Sequence, residues 1–102
     1  MTGFSVDGQR VTVVGAARSG VAAALLLASR GARVTLSDAK PALADADRDR
    51  LTNAGVLLEL GGHVAATFTG ADLLVLSPGV PPEQPAIAGA KAYVDREGLT
   101  GQ

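Results

Sequence analysis

Residues 11 to 38 read VTVVGAARSGVAAALLLASRGARVTLSD, and this stretch decides the fold. It opens with the β-branched run VTVV, which stops at Gly15, and it continues with an Ala- and Leu-rich segment at 19–29. Apolar side chains recur at helical spacing along that segment, namely Val21, Ala24, Leu25 and Ala28. Gly31 then ends the helix, and Val34 to Ser37 form a second strand-like run. The stretch therefore predicts strand, helix and strand, which together make the βαβ unit of a parallel sheet.

The rest of the chain repeats this alternation of strands and helices. The predicted elements are a charged amphipathic helix at 42–54 with Leu43, Ala46, Arg50 and Leu51 on its inner face, a strand at 56–60, an irregular or short helical segment at 64–70, a buried strand at 73–76 and a final helix at 85–93. Residues 95–102 are polar and Gly-bearing, so we expect a flexible tail, or one foreign to the domain. We predict a single domain that spans residues 1–94.

Alternating strands and helices predict an α/β fold: a Rossmann-like, three-layer, doubly wound sheet, mainly parallel, with four to five strands covered on both faces. In the commonest order, strands one to three run outward in one direction, and strand four lies on the other side of strand one. Ligands bind such sheets where the order reverses. The loops 15–20 and 77–82 are therefore predicted to form the two walls of one crevice.

Composition excludes several classes of function. The formal net charge of −1, with acidic and basic residues interleaved, argues against nucleic acid or an anionic membrane as partner. The chain has no cysteine and one histidine, which argues against a metal site. The longest apolar run, 21–28, is too short for a membrane span, so we expect a cytoplasmic protein.

The loop 15–20, GAARSG, is a degenerate dinucleotide-binding fingerprint. Gly15 and Gly20 occupy its outer positions, while Ala17 replaces the middle glycine that lets backbone approach a pyrophosphate. The free N–H groups of Arg18, Ser19 and Gly20 at the helix start favour an anion, and Arg18 adds positive charge. The alternative is that the two glycines serve only to pack the helix on the strand.

Asp38 ends the second strand at about the separation from the glycines where the fingerprint has its acidic residue. Its carboxylate could accept hydrogen bonds from a ribose or a base, with Ala39 and Lys40 beside it. The alternative is a turn or helix-capping aspartate. In the opposite loop, Ser77 offers a hydroxyl, Pro78 restricts the backbone, and Gly79 leaves the backbone uncovered by a side chain. The alternative is an ordinary strand-to-helix connection.

His63 follows two glycines and is interpreted as a turn or capping residue. The sequence shows no nucleophile paired with a base, no carboxylate pair at acid/base spacing and no phosphate-binding G-x-x-x-x-G-K-[ST] motif. No catalytic residue is therefore predicted.

Three stretches together resemble the N-terminal domain of the Mur ligases: VVGAARSGVAAALLLASRGARVTLSD at 13–38, GGH at 61–63 and ADLLVLSPGVPPEQP at 71–85. The resemblance spans roughly residues 8–92 and is closest to the D-glutamate-adding branch of this peptidoglycan-synthesis family. The most specific element is SPG followed by a proline-rich turn. Family members continue after the last helix into another strand, which Lys91 to Gln102 do not show by sequence.

The resemblance implies a domain that binds UDP-N-acetylmuramoyl-L-alanine through its uridine diphosphate. By position, Arg18, Ser19 and Gly20 would meet the diphosphate; Asp38, Ala39 and Lys40 would flank the uridine; and Ser77, Pro78 and Gly79 would form the opposite wall.

The resemblance places ATP and Mg²⁺ in a central domain outside these residues and amino-acid binding in a C-terminal one. We expect this chain alone to be inactive and to hold no cofactor. Two alternatives stay open: an NAD(P)-binding domain of a dehydrogenase or nucleotide-sensing regulator, and an interaction module that binds no nucleotide.

Overall fold

A computed structural model of the chain describes residues 6–40 and 43–77, together with the backbone of 92–95 and 98–101. Its elements, in chain order, are β1 (Arg10–Val14), α1 (Arg18–Ser29), β2 (Arg33–Asp38), α2 (Asp45–Asn53), β3 (Leu57–Leu60), α3 (Ala65–Thr69), β4 (Leu73–Leu76), β5 (Ala92–Asp95) and β6 (Gly98–Gly101). The first four strands lie within a residue of their predicted positions.

The strands form one sheet with the order β3-β2-β1-β4-β5-β6. The strands from β3 to β5 pair in parallel, and β6 is antiparallel to β5. Val11 pairs with Val34 on one side and with Leu73 on the other, so β1 is central. The predicted Rossmann-like order, which reverses between β1 and β4, is confirmed.

The carboxyl-terminal part of the chain differs from the prediction. The final helix expected at 85–93 is wrong for Ala92 and Tyr93, which belong to β5, and its other residues lie outside the described part of the chain. β6 lies where the tail was expected, so the sheet has six strands rather than four or five. Leu74 and Val75 of β4 pair with β5, and this non-local backbone pairing outweighs a local helical pattern.

The helices α1 and α2 cover one face of the sheet. Their shared core is purely aliphatic and consists of Val13, Val21, Ala24, Val34, Leu36, Leu51 and Val56. The predicted inner face of α2 is partly wrong, because Ala46 and Arg50 are exposed and Leu51 is the buried residue of that helix. Arg50 forms an exposed ion pair with Asp47 instead.

The opposite face is packed around Phe68 of α3, which is fully buried with Val14, Ala71, Leu74 and Leu76. The segment 64–70, predicted as irregular or short helix, thus contains a five-residue helix that places one aromatic ring. Within the residues that the structure describes, no helix is long and apolar enough to cross a membrane.

Candidate functional site

The parallel strands bring four loops to one edge of the sheet. The carboxyl ends of β4, β1, β2 and β3 lie side by side in that order, because neighbouring strands in the sheet follow it. Ser77, the loop that begins at Gly15, the turn that begins at Asp38 and the Gly61–His63 loop therefore form one continuous rim. This is the edge at which doubly wound sheets bind ligands.

The loops after β1 and β4 are joined by hydrogen bonds. The Ser77 amide donates to the carbonyl oxygen of Val14 at 3.0 Å, and the Ser77 hydroxyl donates to the carbonyl oxygen of Gly15, also at 3.0 Å. Ser77 is only 8% exposed. Its hydroxyl, predicted as part of a ligand-facing wall, therefore holds the two sides of the crevice together. Pro78 and Gly79, the other predicted residues of this wall, lie outside the described residues.

Gly20 is needed for close packing at the start of α1. A Cβ atom on this residue would collide with the carbonyl oxygen of Gly15 and lie 3.0 Å from the Ser77 hydroxyl oxygen. Gly15 itself has a φ of 103°, which an L-residue rarely adopts. Both glycines are therefore required by the backbone geometry at the start of α1, which is compatible with an anion at the helix start.

Arg18 and Ser19 are exposed on the first turn of α1, as the predicted diphosphate contacts need to be. The helix begins after Ala17, and no side chain of the described residues caps it. The Val21 amide is the first to bond back, to the carbonyl oxygen of Ala17. The first amides of α1 and the positive end of its dipole are consequently available to an anion.

Asp38 joins the second and third loops of the rim. One carboxylate oxygen accepts from the Ala16 amide at 2.6 Å, and the other accepts from the Lys40 amide at 2.8 Å. Burial opposes ionisation, but these two amides, together with the nearby His63 and the Lys40 charge, lower the pKa of Asp38 below its usual value. Asp38 is thus the turn residue of the alternative interpretation, although each oxygen has a further lone pair.

The turn after β2 is also hydrogen-bonded to the loop after β3. The amides of Gly61 and Gly62 donate to the carbonyl oxygen of Asp38, at 3.0 and 3.3 Å, and Gly61 also reaches the carbonyl oxygen of Lys40. Ala39 and Lys40 remain exposed beside this attachment. Hydrogen bonds from the loop after β3 therefore hold the turn that contains the predicted uridine-facing residues.

Sequence reasoning did not find the partners of His63. Its Nδ1 lies 2.7 Å from the Ser37 hydroxyl oxygen, and its ring packs edge-on against Phe68 with centroids 5.3 Å apart. Ser37 is fully buried. A serine directly after Leu36 in a strand predicted to lie inside the sheet was the available signal, because a buried hydroxyl requires a partner.

A cavity of about 560 Å³ lies away from this rim, on the α3 side of the sheet. Its lining includes Arg10, Arg33, Leu57, Glu59 and Thr67 but no predicted site residue. Among the described residues, no group of three or more acidic or histidine side chains could hold a metal ion.

Comparison with known proteins identifies relatives of this chain. Residues 9–95 match the model of the Mur ligase MurD-like N-terminal domain. The chain is 52% identical over 91 residues to the UDP-N-acetylmuramoylalanine–D-glutamate ligase of Anaeromyxobacter dehalogenans, covering 89% of this chain and 20% of that protein. It is 51% identical over 83 residues to the enzyme of the same name from Chromobacterium violaceum, covering 78% and 18%. The chain thus spans about a fifth of the length of the curated relatives it matches.

Similarity to solved structures supports the fold alone. The apo-structure of D-lactate dehydrogenase from Escherichia coli superposes with a TM-score of 0.63 at 22% identity, covering 95% of this chain and 32% of that one. Sequence similarity at this level carries no functional conclusion, but the superposition confirms the Rossmann-like architecture.

Proposed function

The chain belongs to the family of Mur ligase MurD-like N-terminal domains, and from this premise we propose that it binds the uridine diphosphate part of UDP-N-acetylmuramoyl-L-alanine. The parent activity would be ATP-dependent addition of D-glutamate to that substrate in cytoplasmic peptidoglycan synthesis, which supports cell-wall growth, shape and division. The relatives' names supply the substrate class.

One observation supports the proposal most directly: the uncapped start of α1 lies at the point where the strand order reverses. Arg18 and Ser19 are exposed there, and Ser77 holds the opposite loop within hydrogen-bonding distance of Gly15. A diphosphate at this point would meet free amides, the helix dipole and a guanidinium group. Since hydrogen bonds already fix Ala16 in the first loop and Ser77 at the start of the second, binding would order little additional backbone at these residues.

The uridine would lie along the next loop of the rim. Ala39 and Lys40 are exposed there, and the Asp38 carboxylate holds the Ala16 and Lys40 amides in place. In this proposal, Asp38 acts first by fixing the shape of the crevice, and its remaining lone pairs could accept from a ribose hydroxyl.

The proposed contribution to the reaction is positioning. Holding one end of a substrate fixes the reacting end relative to other groups, which lowers the entropic part of the barrier. ATP, Mg²⁺ and the incoming amino acid would be held by other parts of a longer ligase, so we propose no catalytic residue in this chain.

The test is a calorimetric and NMR titration of the chain with UDP-N-acetylmuramoyl-L-alanine, with UDP and NADH as comparators. The expected result is binding of both uridine ligands, with amide shifts at Ser19 and Lys40 and little response to NADH. Preferential NADH binding would support the dinucleotide alternative, and no binding of any of the three would contradict a nucleotide site in this chain.

A further inference from the structure

His63 is the only histidine of the chain, and the structure places it in a defined environment. Its Nδ1 is engaged by the Ser37 hydroxyl at 2.7 Å, and its ring makes a T-shaped contact with Phe68 at an interplanar angle of 67°. The side chain is nevertheless partly exposed. One end of the imidazole is therefore anchored in the domain, and part of the ring remains accessible at the rim.

The hydrogen bond with Ser37 selects the tautomer of this imidazole. Ser37 is fully buried, and within the described residues its hydroxyl oxygen makes one side-chain contact, with His63 Nδ1. If Nδ1 carried the proton, the Ser37 hydroxyl would accept and its own hydrogen would lack a partner, which is costly in a buried position. The favoured arrangement has Ser37 donating to Nδ1, which leaves the proton on Nε2, a donor that meets no acceptor among the described residues.

The position of His63 along the rim indicates which part of a bound nucleotide the Nε2 proton would meet. The loop that carries it is bonded through Gly61 and Gly62 to the carbonyl oxygen of Asp38. Strands in a sheet are about 4.8 Å apart, so the loop after β3 lies roughly 10 Å from the loop after β1. A nucleoside attached to a diphosphate at α1 extends over a comparable distance, first along the β2 turn and then towards the β3 loop.

We propose that His63 is a specificity-determining residue of the nucleotide site, donating a hydrogen bond from Nε2 to a carbonyl oxygen of the pyrimidine base. This inference rests on the proposed function and adds a residue on the loop after β3 to a site otherwise built from the loops after β1 and β2 and from Ser77. Ser37 is the positioning residue, because it fixes the tautomer that can donate.

Two substitutions separate the anchoring and the donating nitrogen of the imidazole. His63→Asn keeps an amide near the position of Nδ1, where it can bond Ser37, but has no group at Nε2. His63→Gln extends an amide to the position of Nε2 and so retains the outward donor. Thermal unfolding of both variants beside the parent checks that the fold is kept.

The experiment measures the dissociation constants of UDP and inorganic pyrophosphate for the parent and both variants, together with the ¹⁵N spectrum of the single imidazole. We expect His63→Asn to weaken UDP about fivefold, the value of one hydrogen bond, with pyrophosphate unchanged and His63→Gln closer to the parent. The parent imidazole should be protonated at Nε2, and its Nε2 resonance should shift with UDP but not with pyrophosphate.

Two results would overturn the inference, and they are distinguishable. If UDP binds with amide shifts at Ser19, but His63→Asn retains the parent affinity and Nε2 does not respond, His63 is structural and the proposed function stands. If UDP binds neither the parent nor the variants, the proposed function fails and the role of His63 fails with it.

Discussion

The Ser77 hydroxyl donates a hydrogen bond to the carbonyl oxygen of Gly15 over 3.0 Å, although 62 residues separate them in the chain. Gly15 directly follows β1 and Ser77 directly follows β4, so this bond lies at the point where the strand order reverses. Ser77, the first residue of the predicted second wall, is therefore fixed to the loop after β1 as well as to the sheet.

Ser77→Ala is expected to lower the free energy of unfolding by about 1 kcal/mol, the net contribution of a hydrogen bond. It should also weaken UDP binding, since the loop after β4 loses its attachment to Gly15. Urea unfolding measures the first effect. Ser29→Ala is the matched control, because it removes a hydroxyl that bonds Leu26 on the exposed end of α1 and should change stability by less than about 0.5 kcal/mol. Equal losses in the two variants would contradict this role of Ser77.

Gly20→Ala is expected to destabilise the domain by about 1–3 kcal/mol, because the new Cβ collides with the Gly15 carbonyl oxygen and forces α1 away from β1. Gly55→Ala is the comparison: its φ is 87° but no atom lies within 4 Å of the new Cβ, so it introduces backbone strain without a collision. Only Gly20→Ala should also reduce UDP binding. Unaltered stability of Gly20→Ala in thermal and urea unfolding would show that the close approach is not required.

Asp38→Asn should change how stability depends on pH. The folded state lowers the pKa of Asp38, so the ionised carboxylate stabilises the fold above the unfolded pKa of about 3.9, and this contribution is lost as the pH falls through the folded pKa. In Asp38→Asn that loss should disappear, and one of the amides of Ala16 and Lys40 should lose its acceptor.

Unfolding midpoints measured from about pH 6 down to pH 2 test this expectation. The parent should lose more stability than Asp38→Asn over the acidic half of the range, while the variant is the less stable protein at the pH 6 end. Asp45→Asn, on the exposed first turn of α2, controls for general charge effects. Parallel curves for the parent and Asp38→Asn would refute the stabilising role of the carboxylate.

Arg18→Glu should weaken UDP about tenfold while leaving the fold intact. The side chain is exposed, so each charge contributes at most about 1 kcal/mol, but reversal replaces attraction by repulsion. The difference should shrink in high salt because exposed charges are screened. Arg30→Glu, exposed just beyond the other end of α1, is the control and should leave UDP affinity unchanged. A similar affinity of the parent and Arg18→Glu would place the diphosphate elsewhere.

The sequence predicted the parts of the fold that depend on local pattern. The strand-like apolar runs, the helical spacing in α1 and the glycines at the start and end of that helix were sufficient for four strands and the Rossmann-like order. The strands and helices are encoded by residues close together in the chain, and their order follows the common topology of alternating strands and helices, so no specific distant contact was needed to predict them. Family membership rested on the same residues, with the SPG motif after β4.

Tertiary structure alone decided how the candidate site is held together. The sequence could place Asp38 and Ser77 at the rim, but only the folded chain shows that both bond the loop beginning at Gly15. Likewise, β5 forms by pairing with the distant β4, β6 is added to the sheet through β5, and His63 meets Ser37 across 26 residues. Strand order and register decide which hydrogen-bonding groups pair with each other. The residue types along the chain do not specify these pairs.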